Sequence, residues 1–506
     1  MISVLSKHDA FTLDESTISS AYLTEKELMD NAGKAIAQFI VENIQDPFNQ
    51  KFIILVGPGH NGGDAIISHY YLLSYGINAE LILFNNNQKE GWIFDNYTIN
   101  NNSIKLYDKH IELNRDYWYV DGIFGIGLQR NIEGVYKEII DELIHCPNII
   151  SIDIPSGIYA DSGLMAGSNI HANYTLTMGF PNIGHFFNKG LDSSGELHVL
   201  DIGFKPLSKS HASIKLIDHE DLCGQYPSYS ENVHKYSRGK LVTISGSKGY
   251  TGACILAIQA AMKTGVGIIK AIIPESLNNI FESSLIEAIS IPIQEHKAGA
   301  FTSENTNDIL DETMWADAVI FGPGLAIDAD SGDWMMQVLH KLERPLVLDA
   351  SGFFPLIENK IIISELPTET ILTPHYAEFS RIFKLDLKEV IDNPISAVSD
   401  IIEDLAGRVL ILKGATNIIV NSNGDILLIN HGSSALATAG TGDVLTGILG
   451  TLLAQGIHVN EASLLAVYLH GECVHQYTKL VGSDGLIASD LPTMIPYALN
   501  EMNYVH

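Results

Sequence analysis

Positive charge is scarce in this chain: 30 Lys and Arg stand against 60 Asp and Glu, a formal net charge of −30 over 506 residues. Such a balance offers no clustered cations to a phosphate backbone or an anionic lipid surface, so neither nucleic acid nor a membrane is an expected partner. Cysteine is scarce too. Cys146, Cys223, Cys254 and Cys473 are scattered with no CxxC pair, which argues against a disulfide framework or a structural zinc site. The opening MISVLSKHDAFTLDEST has no apolar h-region and carries acids early, unlike a secretory signal. The most apolar stretch, Ala253 to Ile273, is broken by Lys263, Lys270 and glycines, and reads as a buried helix followed by a strand. No repeat or low-complexity tract stands out, and the asparagines at 85–87 and 100–102 read as surface loop. The expectation is a soluble protein of a reducing compartment, the cytoplasm.

What is present is a globular composition, 46% hydrophobic and 18% charged, long enough for two α/β domains. In the first half a helical stretch, Glu25 to Ile44, leads into the apolar strand Phe52–Val56, the turn GPGHNGGD (57–64) and a second helix to about Ser74. Strand candidates recur at Ala79–Phe84, Trp118–Val120 and Asn148–Ile152, separated by helices. That alternation predicts a parallel, doubly wound sheet with ligand loops at the strands' carboxyl ends. The second half restarts the pattern. Strands are expected at Lys240–Ser245, Ala318–Phe321, Pro345–Leu348, Thr370–Leu372 and Val409–Leu412, with a helix over Cys254–Thr264 and a final helix from near Asp443 to about Gln455. The join lies between Phe204 and Arg238, giving domains 1–210 and 222–506. The apolar helix face from Leu28 to Ile40 can serve a core or an interface, and a homo-oligomer is expected.

The most informative run is ALATAGTGDVLTGILGTLLAQG (435–456). Gly440-Thr441-Gly442-Asp443 falls where a loop enters an apolar helix. First-turn amides lack intrahelical partners and, with the helix dipole, form a seat for a phosphate gaining charge during transfer. An aspartate there is often only a first-turn acid, but beside such a cradle it can accept the proton of an attacking hydroxyl. Alone, these residues also suit a ribokinase-like small-molecule kinase carrying an accessory nucleotide-binding domain, or a first half acting as a binding module.

The GTGDVLTG run, FGPGL (321–325), LDASGF (348–353), TPH (373–375) and LKGA (412–415), in that set, resemble the nucleotide-dependent NAD(P)H-hydrate dehydratase domain. GPGHNGGD, VDGIFGIGL (120–128) and DIPSG (153–157) resemble the NAD(P)H-hydrate epimerase domain. Together they cover nearly the whole chain. The resemblance implies an α/β fold, with a Rossmann-like doubly wound sheet in the first half and a ribokinase-like domain in the second. It implies a metabolite-repair activity, both isomerase and lyase. Water added to the nicotinamide ring of NADH or NADPH gives two epimers; one domain interconverts them, and the other phosphorylates the hydroxyl with ADP or ATP, so that phosphate leaves and the reduced cofactor returns. By the same resemblance Asp443 is the hydroxyl-contacting base, Gly442 lies against the nucleotide, and Lys413, Gly414, Ala415, Thr416 and Asn417 line its phosphates or ribose. Ala253, Gly324 and His375 face the hydrated substrate, and Mg²⁺ bridges the phosphates.

In the first half GPGHNGGD is a weak match to a dinucleotide fingerprint, since the glycines alone suit an ordinary turn. Asn61 and Asp64 beside those glycines nonetheless face the strand ends Asp121 and Asp153 with Ser156, and such converging hard oxygen donors suit an alkali or alkaline-earth cation. The epimerase resemblance implies that Asn61, Asp121 and Ser156 hold K⁺. It further implies that His60, Asn61, Gly62, Gly63 and Asp64, the loop Gly125, Ile126, Gly127, Leu128, Gln129, Arg130 and Asn131, and Asp153 bind substrate, with Tyr136 in reach. Asp153 is the expected proton-exchange residue. Departures from the family pattern are Ala65 after NGGD, Asn182 in place of a lysine, TPHYAE (373–378), KGATN (413–417) and GSSALATAGTGD (432–443).

Overall fold

The computed structural model describes residues 1–503 except 86–87, 89–91, 98, 100, 109–112, 208–212, 228–231 and 296–298. Parts of the asparagine loops, the expected first-domain end at 210 and the last residues of the chain therefore lie outside the described residues. The chain divides into two compact units, one spanning Ile2–Ile214 and the other Lys215–His506 together with Met1.

In the first unit seven strands form one sheet in the order Ile104–Leu106, Asn78–Leu83, Lys51–Val56, Trp118–Gly122, Ile149–Ile152, Tyr174–Met178 and Glu196–Leu200. Every pairing is parallel. Central strands of such a sheet are covered on both faces, which explains why Phe52–Val56 reads as an unbroken apolar run and why both it and Ile149–Ile152, apolar but for Ser151, are buried throughout. The helix Glu25–Asn43 starts in a capping box, Thr24 bonding the Glu27 amide and Glu27 reaching back, and buries Leu28, Ala32, Ile36, Phe39 and Ile40. That apolar face belongs to the unit's own core. The next helix begins at His60, so HNGGD occupies its first turns and the glycine motif is a true strand–turn–helix.

In the second unit the strand Ile214–Leu216, at the unit boundary, lies beside Ile426–Ile429, and the sheet continues in the order Asn417–Val420, Val409–Leu412, Thr370–Leu372, Leu346–Leu348, Ala318–Phe321, Lys240–Ile244, Ile268–Pro274 and Ile289–Ile293. The pairings are parallel except at the hairpin end, where Val409–Leu412, Asn417–Val420 and Ile426–Ile429 run antiparallel. The helix from Asp443 is not the last. It spans Thr441–Ala454 and is followed by Val459–Leu480 and Leu491–Asn503. The first of these is buried around most of its circumference, polar His470, Glu472 and Gln476 included, so it lacks the one-sided stripe that marks a helix in sequence. Among the described residues no helix is long and apolar enough to cross a membrane.

Helix Thr441–Ala454 is seated by close approach. A Cβ on Gly447 would lie 2.1 Å from the Ala257 carbonyl oxygen on helix Thr251–Thr264. Gly447→Ala should therefore destabilise the second unit by about 1–3 kcal/mol through overpacking, read from the denaturant midpoint. Unchanged stability would mean that the helices can part without cost.

Candidate active sites

The first unit opens at the carboxyl ends of its strands into a cavity of about 810 Å³. Asp153 follows strand Ile149–Ile152 in a left-handed backbone conformation, φ 68°, which a non-glycine residue adopts only when its surroundings enforce it. His185 is one reason. Its Nδ1 accepts from the Asn182 amide at 3.0 Å, so its Nε2 donates to the Asp153 carbonyl at 2.9 Å. Burial drives the His185 pKa down to about 4, keeping the ring neutral. The Asp153 carboxylate accepts one hydrogen bond, from the Ile126 amide at 3.0 Å, and burial lifts its pKa to about 6. The Asp64 carboxyl is raised well above its usual range, by burial first and then by Asp153 and Asp14.

Asp121 is the opposite case. It is fully buried at the end of strand Trp118–Gly122 and accepts from Ser156 Oγ at 2.6 Å, the Ser156 amide at 2.9 Å, Ser151 Oγ at 2.9 Å and the Ile123 amide at 3.2 Å. Burial still raises its pKa, against the pull of those bonds. Its partners are neutral hydroxyls and amides. Nearby, Asn61 is buried with its Nδ2 unpartnered, and Phe124 brings its carbonyl within 3.2 Å of Ser156 Oγ.

Of the residues expected at this site, His60, Asn61, Asp64, Gly125, Ile126, Gly127, Leu128, Gln129, Arg130 and Asp153 line the cavity. Gly62 and Gly63 lie behind it in the helix, where a Cβ would meet the Gly57 carbonyl oxygen at 2.1 Å or Met29 Sδ at 2.6 Å. Asn131 faces Tyr159, and Tyr136 packs among Phe84 and Phe124. Sequence reasoning missed His185 and Asp14. Asp14 lines the cavity from helix Lys7–Ser19, a segment read only for its lack of a signal.

The second site forms where four strand ends meet the helix at 441. Gly440, φ 95°, turns the chain into that helix, which leaves the Gly442 amide in the open first turn and puts Asp443 one residue on. Burial and the Asp349 carboxylate lift the Asp443 pKa to about 7, while Lys413 opposes them. Asp349, after strand Leu346–Leu348, is the hub: Lys413 Nζ bonds its Oδ1 at 2.8 Å, Thr373 Oγ1 the same oxygen at 2.8 Å, and Thr446 Oγ1 its Oδ2 at 3.0 Å. Burial alone would lower the Lys413 pKa, but Asp349, Glu378 and Asp443 raise it overall. A Cβ on Gly442 would lie 3.3 Å from Lys413 Nζ, so the lysine sits beside the amide cradle.

Around this centre, Gly414 lies under the Tyr376 hydroxyl, 2.9 Å from where its Cβ would be. Gly324 abuts Ala253, with a notional Cβ contact of 3.1 Å. His375 is committed as an N-cap, its Nδ1 accepting from the amides of Ala377 at 3.1 Å and Glu378 at 3.2 Å, with the rest of the ring exposed. Thr416 contacts Asn430 at 3.3 Å, Ala415 precedes it in the turn, and Asn417 opens the hairpin strand. Asp349 and Thr446 were overlooked in the sequence. The signal was there: an acid directly after the apolar triplet LVL, and a threonine one helical turn from Asp443. Among the described residues no three His, Cys, Asp or Glu side chains are grouped to hold a metal ion.

An acid-lined cavity on a doubly wound sheet, and an aspartate at a helix-borne amide cradle on a second α/β unit, define a two-domain α/β enzyme. Residues 241–496 match the NAD(P)H-hydrate dehydratase family, and residues 25–184 match the YjeF-related protein N-terminus. The bifunctional NAD(P)H-hydrate repair enzyme Nnr of Dictyoglomus turgidum is 34% identical over 489 residues, covering 94% of each chain. That of Escherichia coli K12 is 27% identical over 493 residues, covering 94% of this chain and 90% of the relative. A ribokinase-like superfamily protein of Enterococcus faecalis V583 superposes with a TM-score of 0.50 at 22% identity, over 59% of this chain and 99% of its own, which shows the ribokinase-like fold. The chain belongs to the bifunctional NAD(P)H-hydrate repair enzyme family. It epimerises hydrated NADH and NADPH and dehydrates them in a nucleotide-dependent reaction, and the small-molecule-kinase alternative gives way.

The Asp443 pKa carries a stability consequence. The folded value near 7 exceeds the ordinary 3.8, so the fold favours the protonated acid. That contribution is full below about pH 4, is lost as pH climbs toward 7, and is gone above it. Asp443→Asn should melt with the wild type near pH 4 and several degrees above it at about pH 8, the gap opening between. A pH-independent gap in calorimetry would contradict the assignment.

Proposed function

We propose that Asp443 is the base of the dehydration and that Lys413 and the Gly442 amide hold the transferring phosphoryl group. The single observation supporting this is a carboxyl that has no hydrogen bond among the described residues and a pKa near 7, at the mouth of a helix beside a lysine fixed by Asp349. The substrate hydroxyl oxygen attacks the terminal phosphorus of ADP or ATP, displacing AMP or ADP, while Asp443 takes its proton. The ring-nitrogen lone pair then expels phosphate as the carbon–oxygen bond breaks, and the adjacent ring carbon gives up a proton to solvent, restoring the ring double bond; hydroxide could not leave in this way at neutral pH. Lys413, Gly414, Ala415, Thr416 and Asn417 face the nucleotide in this reading, and Ala253, Gly324 and the exposed side of His375 face the substrate. Mg²⁺ fits only as an ion carried on the phosphates: Asp349 is spent on Lys413, Thr373 and Thr446, and no carboxylate cage surrounds it. When bound it neutralises phosphate charge.

In the first unit, within residues 1–210, Asp153 exchanges protons during epimerisation, and the Asn61–Asp64 and Gly125–Asn131 segments bind the substrate. The donor set of Asn61, Asp121 and Ser156 fits K⁺: hard oxygens, a single buried charge, and an orphaned amide at its edge. The ion would steady the loop after Gly122. The reading also includes a cytoplasmic protein that self-associates and that binds neither nucleic acid nor membrane.

Asp443→Ala should cut dehydration by at least about 100-fold, followed as recovery of reduced-nicotinamide absorbance, with epimer interconversion retained. Loss of both activities, or of neither, contradicts the division of labour.

A further inference from the structure

Water adds to an enamine-like dihydronicotinamide by placing hydrogen on the β carbon and hydroxyl on the carbon beside the ring nitrogen, so the hydrate is a hemiaminal. Its stereocentre inverts without redox chemistry. An acid protonates the hydroxyl, the carbon–oxygen bond breaks as the nitrogen lone pair forms the C=N⁺ bond, and water departs. Water then adds to the opposite face, the C=N⁺ π pair returns to nitrogen, and a base removes the extra proton. One proton is spent and one recovered. In the reverse direction the acid and the base exchange roles, so the reaction calls for two groups, one for each face, with nearly equal proton affinity.

Asp153 supplies one. We infer that Asp14 is the second catalytic carboxyl of the epimerisation, working with Asp153 on the same ring carbon. This rests on the reading of Asp153 as a proton-exchange residue. Asp14 and Asp153 line one cavity from separate elements, the helix Lys7–Ser19 and the end of strand Ile149–Ile152. The Asp14 carboxyl makes no hydrogen bond among the described residues, so its oxygens remain available to a ligand in that space. Asp153 spends one oxygen on the Ile126 amide. The electrostatics agree with this placement. Burial raises the Asp14 pKa to about 6, with Asp153, Glu15 and Glu25 adding to the rise and His60 opposing it. Asp153 also stands near 6. Both acids are raised toward neutrality, the range in which each can take and return a proton. Asp64 stands beside them with its pKa raised well above the usual range, by burial first and then by Asp153 and Asp14. Arg130 lines the same cavity as its cation.

The test compares full-length wild type, Asp14→Asn, Asp14→Glu and Asp153→Asn, starting from one resolved hydrate epimer and following the other chromatographically. Circular dichroism and thermal melting check folding. Asp14→Asn should lower kcat for interconversion at least about 100-fold, with KM changed less than about threefold, and should lose one limb of a bell-shaped pH profile centred near 6. Asp14→Glu, which restores a carboxyl, should recover at least about a tenth of the wild-type kcat. Interconversion by Asp14→Asn within about threefold of wild type would overturn the proposal, as would a loss confined to KM. A loss in Asp14→Asn that Asp14→Glu does not restore would also overturn it. If instead Asp153→Asn is fully active while Asp14→Asn is not, the reading of Asp153 fails and Asp14 acts with another partner.

Discussion

A carboxylate buried at the end of a parallel strand must be hydrogen-bonded or it stays protonated, and both halves of this enzyme use the two outcomes side by side. Asp121 accepts four hydrogen bonds from neutral groups and Asp349 accepts three, one from Lys413. These acids tie strand ends and loops into fixed positions. Asp153 has a single amide donor, and Asp443 is held up by burial and by Asp349. Their proton affinities rise toward neutrality, where a proton can be taken and returned at working pH. On the proposed reading, one acid of each pair builds the site and the other works in it.

That division sets how each half holds its charged groups. In the second unit Asp349 orients Lys413 and keeps its charge beside the helix-borne amides, where the proposed reading seats the nucleotide phosphates. The cost of holding Asp443 beside Asp349 is repulsion, which Lys413 limits. In the first unit the strain at Asp153 is borne by neutral His185 gripping the carbonyl from below.

Much of this was legible in the sequence, for physical reasons. Strands Ala318–Phe321, Thr370–Leu372 and Val409–Leu412 were readable because central parallel strands are apolar on both faces, and the carboxyl-end rule then located the loops. The helix at Asp443 announced itself through glycines entering an apolar run. The hairpin Asn417–Val420 and Ile426–Ile429 did not, because its strands are short and lie close to a motif read for its lysine. Helix Val459–Leu480 stayed hidden because burial on nearly every side erases amphipathic periodicity. Asp349 carried a signal that went unused, and Asp14 carried none: an acid in a weakly amphipathic helix looks like solvated surface until the cavity is seen.

The central claim is that an under-bonded carboxyl, kept near neutrality, performs the dehydration. Difference infrared titration of the full-length protein against Asp443→Asn tests it most directly. The account predicts a protonated-carboxyl band, absent from the variant, that disappears with a midpoint near pH 7. A residue already ionised at about pH 5 would contradict it.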